Sequence, residues 1–123
     1  MNMRTVALAS MLIAAPTLAL PHAPKIGANG GPQTDAGSYH VEIVMRGSTL
    51  QVFLRDHSDN AVRTDGYKGI AIFVVEGKPQ RIPLTPNGEN RLIGTSPVAI
   101  SGSPKGAVQI TTPTGSTVQA KFD

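Results

Sequence analysis

The chain has 123 residues, of which 40% are apolar, 15% charged and 4% aromatic, so it forms at most one domain of ordinary size. A net charge of +3 from scattered lysines and arginines is too small to indicate binding to nucleic acid or to an anionic membrane surface. Cysteine is absent, which excludes disulfides, thiolate metal centres and cysteine nucleophiles, and the 13 glycines and 10 prolines disfavour a helical protein.

Residues 1–19 carry the three parts of a secretory signal peptide. Arg4 gives the positively charged start, an apolar run extends from Val6 to Ala15, and a small side chain at Ala19 suits cleavage by a signal peptidase. Pro16 cuts the run short of the ~20 apolar residues that a membrane anchor needs. We therefore expect a cleaved, periplasmic protein whose mature chain has no membrane span.

The next segment, residues 20–38, has three prolines and four glycines, and Ile26 is nearly its only bulky apolar residue after the first position. Such a composition predicts a flexible lead in front of a folded domain at residues 39–123. His22 would be third in the mature chain, where a free amine and histidine can chelate copper(II), but Pro21 lacks the amide hydrogen that the full ligand set needs. His22 is thus an additional metal ligand or a linker histidine.

Period-two alternation of apolar residues begins the folded domain. Residues 39–45 and 50–55 each predict a strand with one buried face, and Gly47-Ser48 between them fits a type II′ turn. This turn places Val41 opposite Leu54 and makes every inward pair of the hairpin apolar on both sides. Sequence and turn geometry therefore predict the same register.

The remaining segments extend the all-β pattern. Residues 69–75 are apolar on both faces and predict a buried central strand, whereas Pro83 assigns residues 80–84 to a sheet edge. Residues 107–122 predict a closing hairpin. Short strands without helical periodicity indicate an immunoglobulin-like antiparallel β-sandwich of about seven strands.

The outward face of the first hairpin gathers candidate metal ligands. Its register puts His40 opposite Arg55, and His57 would then be a diagonal neighbour of His40 at roughly 7–8 Å between α-carbons. With Glu42 on the same face, the two imidazoles and one carboxylate suit copper or zinc, and Asp56 is an additional candidate ligand.

An ordinary solvated face fits the same residues. Arg55 can pair with Glu42, and its positive charge lies between the two predicted histidine ligands. Catalytic patterns are lacking in the sequence, which has no phosphate loop after a strand, no nucleophile elbow and no obvious pair of catalytic carboxylates. We therefore expect the protein not to be an enzyme.

Several short motifs resemble one class of envelope protein. They are Gly30-Gly31-Pro32, the run from Tyr39 to Val44, the run from Leu50 to His57, and the run from Leu84 to Gly94. These motifs resemble small exported all-β proteins of proteobacteria and are similar to the immunoglobulin-like N-terminal module of periplasmic adaptor subunits of heavy-metal efflux pumps. The resemblance implies an accessory domain of metal tolerance, with His40 and Glu42 as the matching polar pair and an envelope efflux-system protein as partner.

Two functions of different classes stay open at this point. The first is a periplasmic binding module for a divalent metal, copper or zinc, held by His40, Glu42 and His57. The second is a structural or interaction module that docks on another cell-envelope protein without metal, through a sheet edge or through Phe53. Nucleic acid is not expected as a partner.

Overall fold

The structure, a computed structural model, describes residues 25–123. The predicted signal peptide, its cleavage site and His22 lie outside the described residues. Residues 25–123 contain nine β-strands and no helix, and so no helix that is long and apolar enough to cross a membrane. The strands are β1 (Lys25–Ile26), β2 (Pro32–Ala36), β3 (Tyr39–Arg46), β4 (Thr49–Asp56), β5 (Lys68–Val75), β6 (Lys78–Pro86), β7 (Arg91–Thr95), β8 (Lys105–Thr111) and β9 (Thr117–Phe122).

All strand pairs are antiparallel and follow the single order β1-β2-β3-β4-β7-β6-β5-β8-β9. The sheet bends at the β6–β7 pair, which includes only Thr85 and Pro86 of β6, and it curls into a half-barrel that brings β2 against β9. The predicted all-β class is confirmed. Hydrogen bonding runs through one continuous order, whereas a sandwich has two separate sheets.

Both halves of the curled sheet supply apolar side chains to one core. Period-two alternation directs one side of every long strand inward, as expected for a sheet with one buried face. The first half contributes Val41, Ile43, Leu50, Val52, Leu54 and Leu92, and the second half contributes Ala71, Phe73, Ile82, Leu84, Val108, Ile110, Ala120 and Phe122, all of them buried. Each large aliphatic or aromatic member contributes about 1.5–3 kcal/mol by its removal from water.

The predicted register of the first hairpin is confirmed along its whole length. Val41 pairs with Leu54 and His40 pairs with Arg55, as the two-residue turn requires. Gly47 has a φ of 61°, which supplies the positive first central position of a type II′ turn. Sequence alternation and turn chemistry therefore determine the same hairpin.

The folded unit begins earlier than the sequence predicted. Strand β2 pairs with β3 from Gln33 to Ala36, and β1 pairs with the start of β2. The segment from Lys25 onward thus belongs to the sheet, and the predicted flexible lead is wrong for this part of residues 20–38. Apolar burial alone does not explain this order, since Ile26 is 70% exposed, and the polar contacts described below supply the reason.

Strand β5 is central but covered on one side only. Ala71 and Phe73 point into the core, while Ile72 and Val74 on the opposite face are 41% and 54% exposed. Among residues 25–123 no second layer packs on the outer side of this half, so the predicted burial of both faces is wrong for the described part of the chain. The part of β6 that contains Pro83 pairs with β5 alone, because the pairing of β6 with β7 begins at Thr85. The proline therefore has a sheet neighbour on one side only, where its missing N–H is tolerated.

Candidate functional site

The carboxylate of Glu42 lies on the outward side of β3 and is nevertheless only 2% exposed. The backbone N–H of Asn29 donates to both oxygens, at 2.9 Å and 3.2 Å, and its side-chain amide donates to Oε1 at 3.0 Å. The buried N–H of Gly31 donates to Oε2 at 2.8 Å. A turn of N–H groups around an anion is a nest, and here the anion belongs to the protein itself. Glu42 therefore holds the β1–β2 turn against β3.

Two glycines make this close approach possible. A Cβ at Gly27 would overlap the Glu42 carboxyl group, and one at Gly31 would overlap the carbonyl oxygen of Ile43. Gly30 has a φ of 82°, a left-handed conformation that glycine adopts without strain, and a Cβ there would meet nothing. The glycine-rich composition thus shapes a turn around a carboxylate.

The three predicted metal ligands are engaged separately. His40 Nδ1 lies 2.7 Å from Asp35 Oδ1 on the neighbouring strand, Glu42 is committed to its nest, and His57 is exposed in the turn after β4. Within residues 25–123, no group of three or more histidine, aspartate or glutamate side chains is placed to hold a metal ion. Metal binding at Glu42 would have to displace the hydrogen bonds that fix the β1–β2 turn. The metal hypothesis stays a prediction without a preassembled ligand set.

The turn after β4 is built by Asp56. Its Oδ1 accepts the backbone N–H groups of Asn60 at 2.9 Å and Ser58 at 3.0 Å, which is ordinary Asx-turn chemistry. These bonds, chiefly the one from Asn60, lower the pKa of the Asp56 carboxyl below its usual value. Arg55 donates to the carbonyl oxygen of Asp59 at 3.1 Å, so its guanidinium braces the same turn. This cluster explains the turn's shape without a ligand.

Two further groups near this end of the sheet also have structural partners. Tyr39 and Tyr67 join their hydroxyls at 3.0 Å, with rings edge to face at 6.1 Å. Burial and the Tyr39 hydroxyl raise the pKa of Tyr67 to about 12.

Phe53, predicted to be an exposed docking spot, is half-buried and lies between Glu42 and Arg91 on the adjacent strands. It offers less free apolar surface than the sequence suggested.

The two ends of the half-barrel meet at a wedge-shaped seam. At one end of this seam, the α-carbon of Gly37 packs so closely on Val118 that a Cβ would lie 2.9 Å from the Val118 methyl carbon. At the other end the strands diverge and leave a groove of about 190 Å³. Its walls include Ile26, Pro32 and Thr34 on the β1–β2 side and Pro104, Lys121 and Phe122 on the β8–β9 side.

The groove is too small for an ordinary substrate or cofactor site and larger than a single water. At ~30 Å³ per water it holds about six waters, whereas small-molecule pockets typically run from about 300 Å³ upward. Its lining is mostly apolar, and it opens beside the outer edge of β9, which within residues 25–123 hydrogen-bonds only to β8 although β2 approaches it. An apolar groove next to a free strand edge can accept side chains from an added strand. Sequence reasoning placed Phe122 inward correctly but did not assign Ile26 to a wall of this groove.

No protein-family model, curated protein or solved structure matches the chain.

Proposed function

We propose that this protein is an exported, non-enzymatic interaction module that docks on another cell-envelope protein by adding that partner's extended segment at the seam. The observation that carries the proposal is the groove between β1–β2 and β9, which combines a mostly apolar wall with a strand edge that no other strand of residues 25–123 pairs with. Periplasmic localisation rests on the signal-peptide pattern of residues 1–19. An efflux-system partner is the proposal that follows from the sequence resemblance.

Strand addition explains why the seam stays open at one end. At the Phe122 end, where the groove separates β9 from β1 and β2, a partner segment lying ~4.8 Å from β9 would satisfy the N–H and C=O groups that β8 leaves unpaired. Alternate partner side chains would then enter the groove beside Ile26 and Phe122, where they lose contact with water. Backbone pairing would supply affinity, and the groove would select apolar residues at alternate positions.

The immunoglobulin-like classification belongs to the same proposal. It is supported by two sheet halves that pack over one core with antiparallel neighbours throughout. Immunoglobulin-like modules present free strand edges in the same way, so this class and a docking role are consistent with one another.

Selection of displayed peptides against the exported protein tests the proposal. We expect enriched peptides to alternate apolar and polar residues and, when bound, to slow hydrogen exchange at β9 amides. Ile26→Asp should weaken their binding at least tenfold, because it puts a charge into the apolar groove at a side chain that is 70% exposed and carries little of the core. Val98→Asp, the same change at a 40% exposed valine outside the groove, is the matched control and should bind normally. Slowed exchange elsewhere, or equal losses in both variants, would contradict the proposal.

A further inference from the structure

A second surface lies on the outer side of the half formed by β6, β5, β8 and β9. Ile72 on β5 stands opposite Arg81 on β6 and opposite Ala107 on β8, and Ala107 stands opposite Lys121 on β9. Directly opposed side chains on one face of an antiparallel sheet have Cβ atoms about 4.5–5.5 Å apart. An exposed isoleucine therefore has one cation directly beside it on β6 and a second cation two strands away on β9.

The adjacent row also sets a cation beside an exposed apolar side chain. Val74, 54% exposed, stands between Pro79 on β6 and Lys105 on β8. The exposed cations of this face, hereafter the cationic face, are Lys68, Arg81, Lys105 and Lys121. Glu76 and Asp123 are the acids beside it, both at the Val74 end, so cations outnumber acids two to one.

We propose that the cationic face binds peripherally to the anionic surface of a lipid bilayer. Ile72 and Val74 would enter the headgroup layer, while the lysine and arginine side chains extend along it and keep their charges among lipid phosphates. Apart from Lys121, which also lines the groove, the face is an open stretch of sheet outside it, and its exposed side chains match a planar anionic partner.

The composition of the face favours lipid over a protein partner or a second copy. Three of the four cations are lysines, which are depleted in protein–protein interfaces, and the face has no aromatic side chain of the kind that anchors such interfaces. Two copies meeting through this face would set like charges against one another, which is unfavourable. The net charge of the whole chain, +3, does not indicate this surface, because it does not show that the fold places four cations on one side of the sheet.

This inference goes beyond the proposed docking function and does not depend on it. Ile26, the variant position at the groove, lies on β1, and the cationic-face positions Ile72 and Arg81 do not line the groove. Loss of peptide binding and loss of lipid binding can therefore be observed separately.

Vesicle binding tests the inference with the protein recovered after export. The probes are vesicles of phosphatidylcholine alone and vesicles of phosphatidylcholine mixed with phosphatidylglycerol. Because the chain has no tryptophan, Ile72→Trp provides a single fluorescent reporter, and Thr95→Trp on the other half of the sheet is its control. We expect a blue shift of the Ile72→Trp emission with the anionic vesicles only, weakening as salt is added, and no shift for Thr95→Trp.

Charge reversal identifies the face. Arg81→Glu should weaken binding to the anionic vesicles about fivefold or more, the effect expected for one cation at such a surface. Arg46→Glu changes the net charge equally on the other half of the sheet and should leave binding within about twofold. Equal losses in the two variants, a blue shift for both reporters, or binding to neutral vesicles alone would overturn the inference. Binding to soluble polyglutamate without binding to anionic vesicles would overturn it in favour of an acidic protein partner.

Discussion

Replacement of Glu42 by glutamine tests the internal nest most sharply. Glu42→Gln keeps the shape of the side chain but removes the charge and turns one acceptor oxygen into an N–H donor. At the Oε2 position that donor would face the N–H groups of Asn29 and Gly31, and at the Oε1 position it would face the N–H and the side-chain amide of Asn29. A hydrogen bond to a charged group is worth about 1.5–3 kcal/mol, and a buried donor without a partner costs about 1–3 kcal/mol.

Because Asn29 is exposed and can find water, we expect the amide oxygen to stay at the Oε2 position and accept from Gly31. The unavoidable loss is then about one charged interaction, since Gly31 keeps only a neutral acceptor and the Asn29 side-chain contact is lost. We therefore expect Glu42→Gln to lower the free energy of unfolding by about 2 kcal/mol. A domain of this size would then unfold roughly 8–16 °C lower. Glu42→Ala should cost more, about 3 kcal/mol, since it leaves every donor of the nest unpaired.

Urea and thermal unfolding measure the change, and amide exchange locates it. The N–H of Gly31 should exchange faster in Glu42→Gln while the amides of the β5–β8 pair stay protected. Glu76→Gln is the matched control, because Glu76 is an exposed turn residue, and its cost should stay within about 0.5 kcal/mol. Equal stability of Glu42→Gln and Glu76→Gln would refute the account of the nest.

Three further predictions follow from the same structure. Gly31→Ala should lower the free energy of unfolding by about 3 kcal/mol or more, because the new Cβ overlaps the carbonyl oxygen of Ile43. Gly30→Ala should cost only about 1–2 kcal/mol, the strain of its left-handed φ. Comparable urea midpoints for the two variants would contradict this. The pKa of Tyr67 is raised to about 12 in the folded protein, whereas a tyrosine of the unfolded chain ionises near 10. The contribution of the neutral Tyr67 hydroxyl to the free energy of unfolding is therefore complete below pH 10 and is lost as the pH rises to 12, which unfolding at graded alkaline pH would measure. A single tyrosinate absorbance step near pH 10 would disprove this. In a copper(II) or zinc titration followed by NMR, His40 and His57 should respond independently and weakly, and a stoichiometric site that shifts both would restore the metal interpretation.

Local chemistry made much of the first hairpin predictable. The glycine–serine turn and the alternation around Val41 and Leu54 each fix the same register, so two independent signals agree. The all-β class followed equally from period-two patterns. The alternation of apolar residues does not specify how strongly a sheet curls, or whether the strands form one sheet or two. For that reason the sequence did not predict that the hydrogen-bonded order continues through β6 and β7.

The errors have physical causes that lie outside local pattern. Residues 25–36 are poor in apolar side chains, so the disorder prediction considered only burial, whereas a buried carboxylate thirteen residues from Asn29 orders the turn by hydrogen bonds. The prediction that β5 is buried on both faces failed because apolar residues on both faces of a strand do not by themselves show that both faces are covered. Exposed apolar side chains such as Ile72 and Val74 also occur at interaction surfaces. The metal hypothesis brought His40, Glu42 and His57 onto one face but could not reveal that Asp35 and the β1–β2 turn already engage two of them.

Photo-crosslinking in the cell envelope tests the central claim, docking at the seam, most directly. A photoreactive side chain at Thr34 would lie on the groove wall, and one at Gln51 would lie on the outward side of the first hairpin, away from the groove. We expect Thr34 to give one discrete adduct, which mass spectrometry assigns to an extended segment of a single envelope protein, and we expect Ile26→Asp to abolish it. Adducts of equal yield and pattern at both positions, or a Thr34 adduct that persists in Ile26→Asp, would contradict docking at the seam.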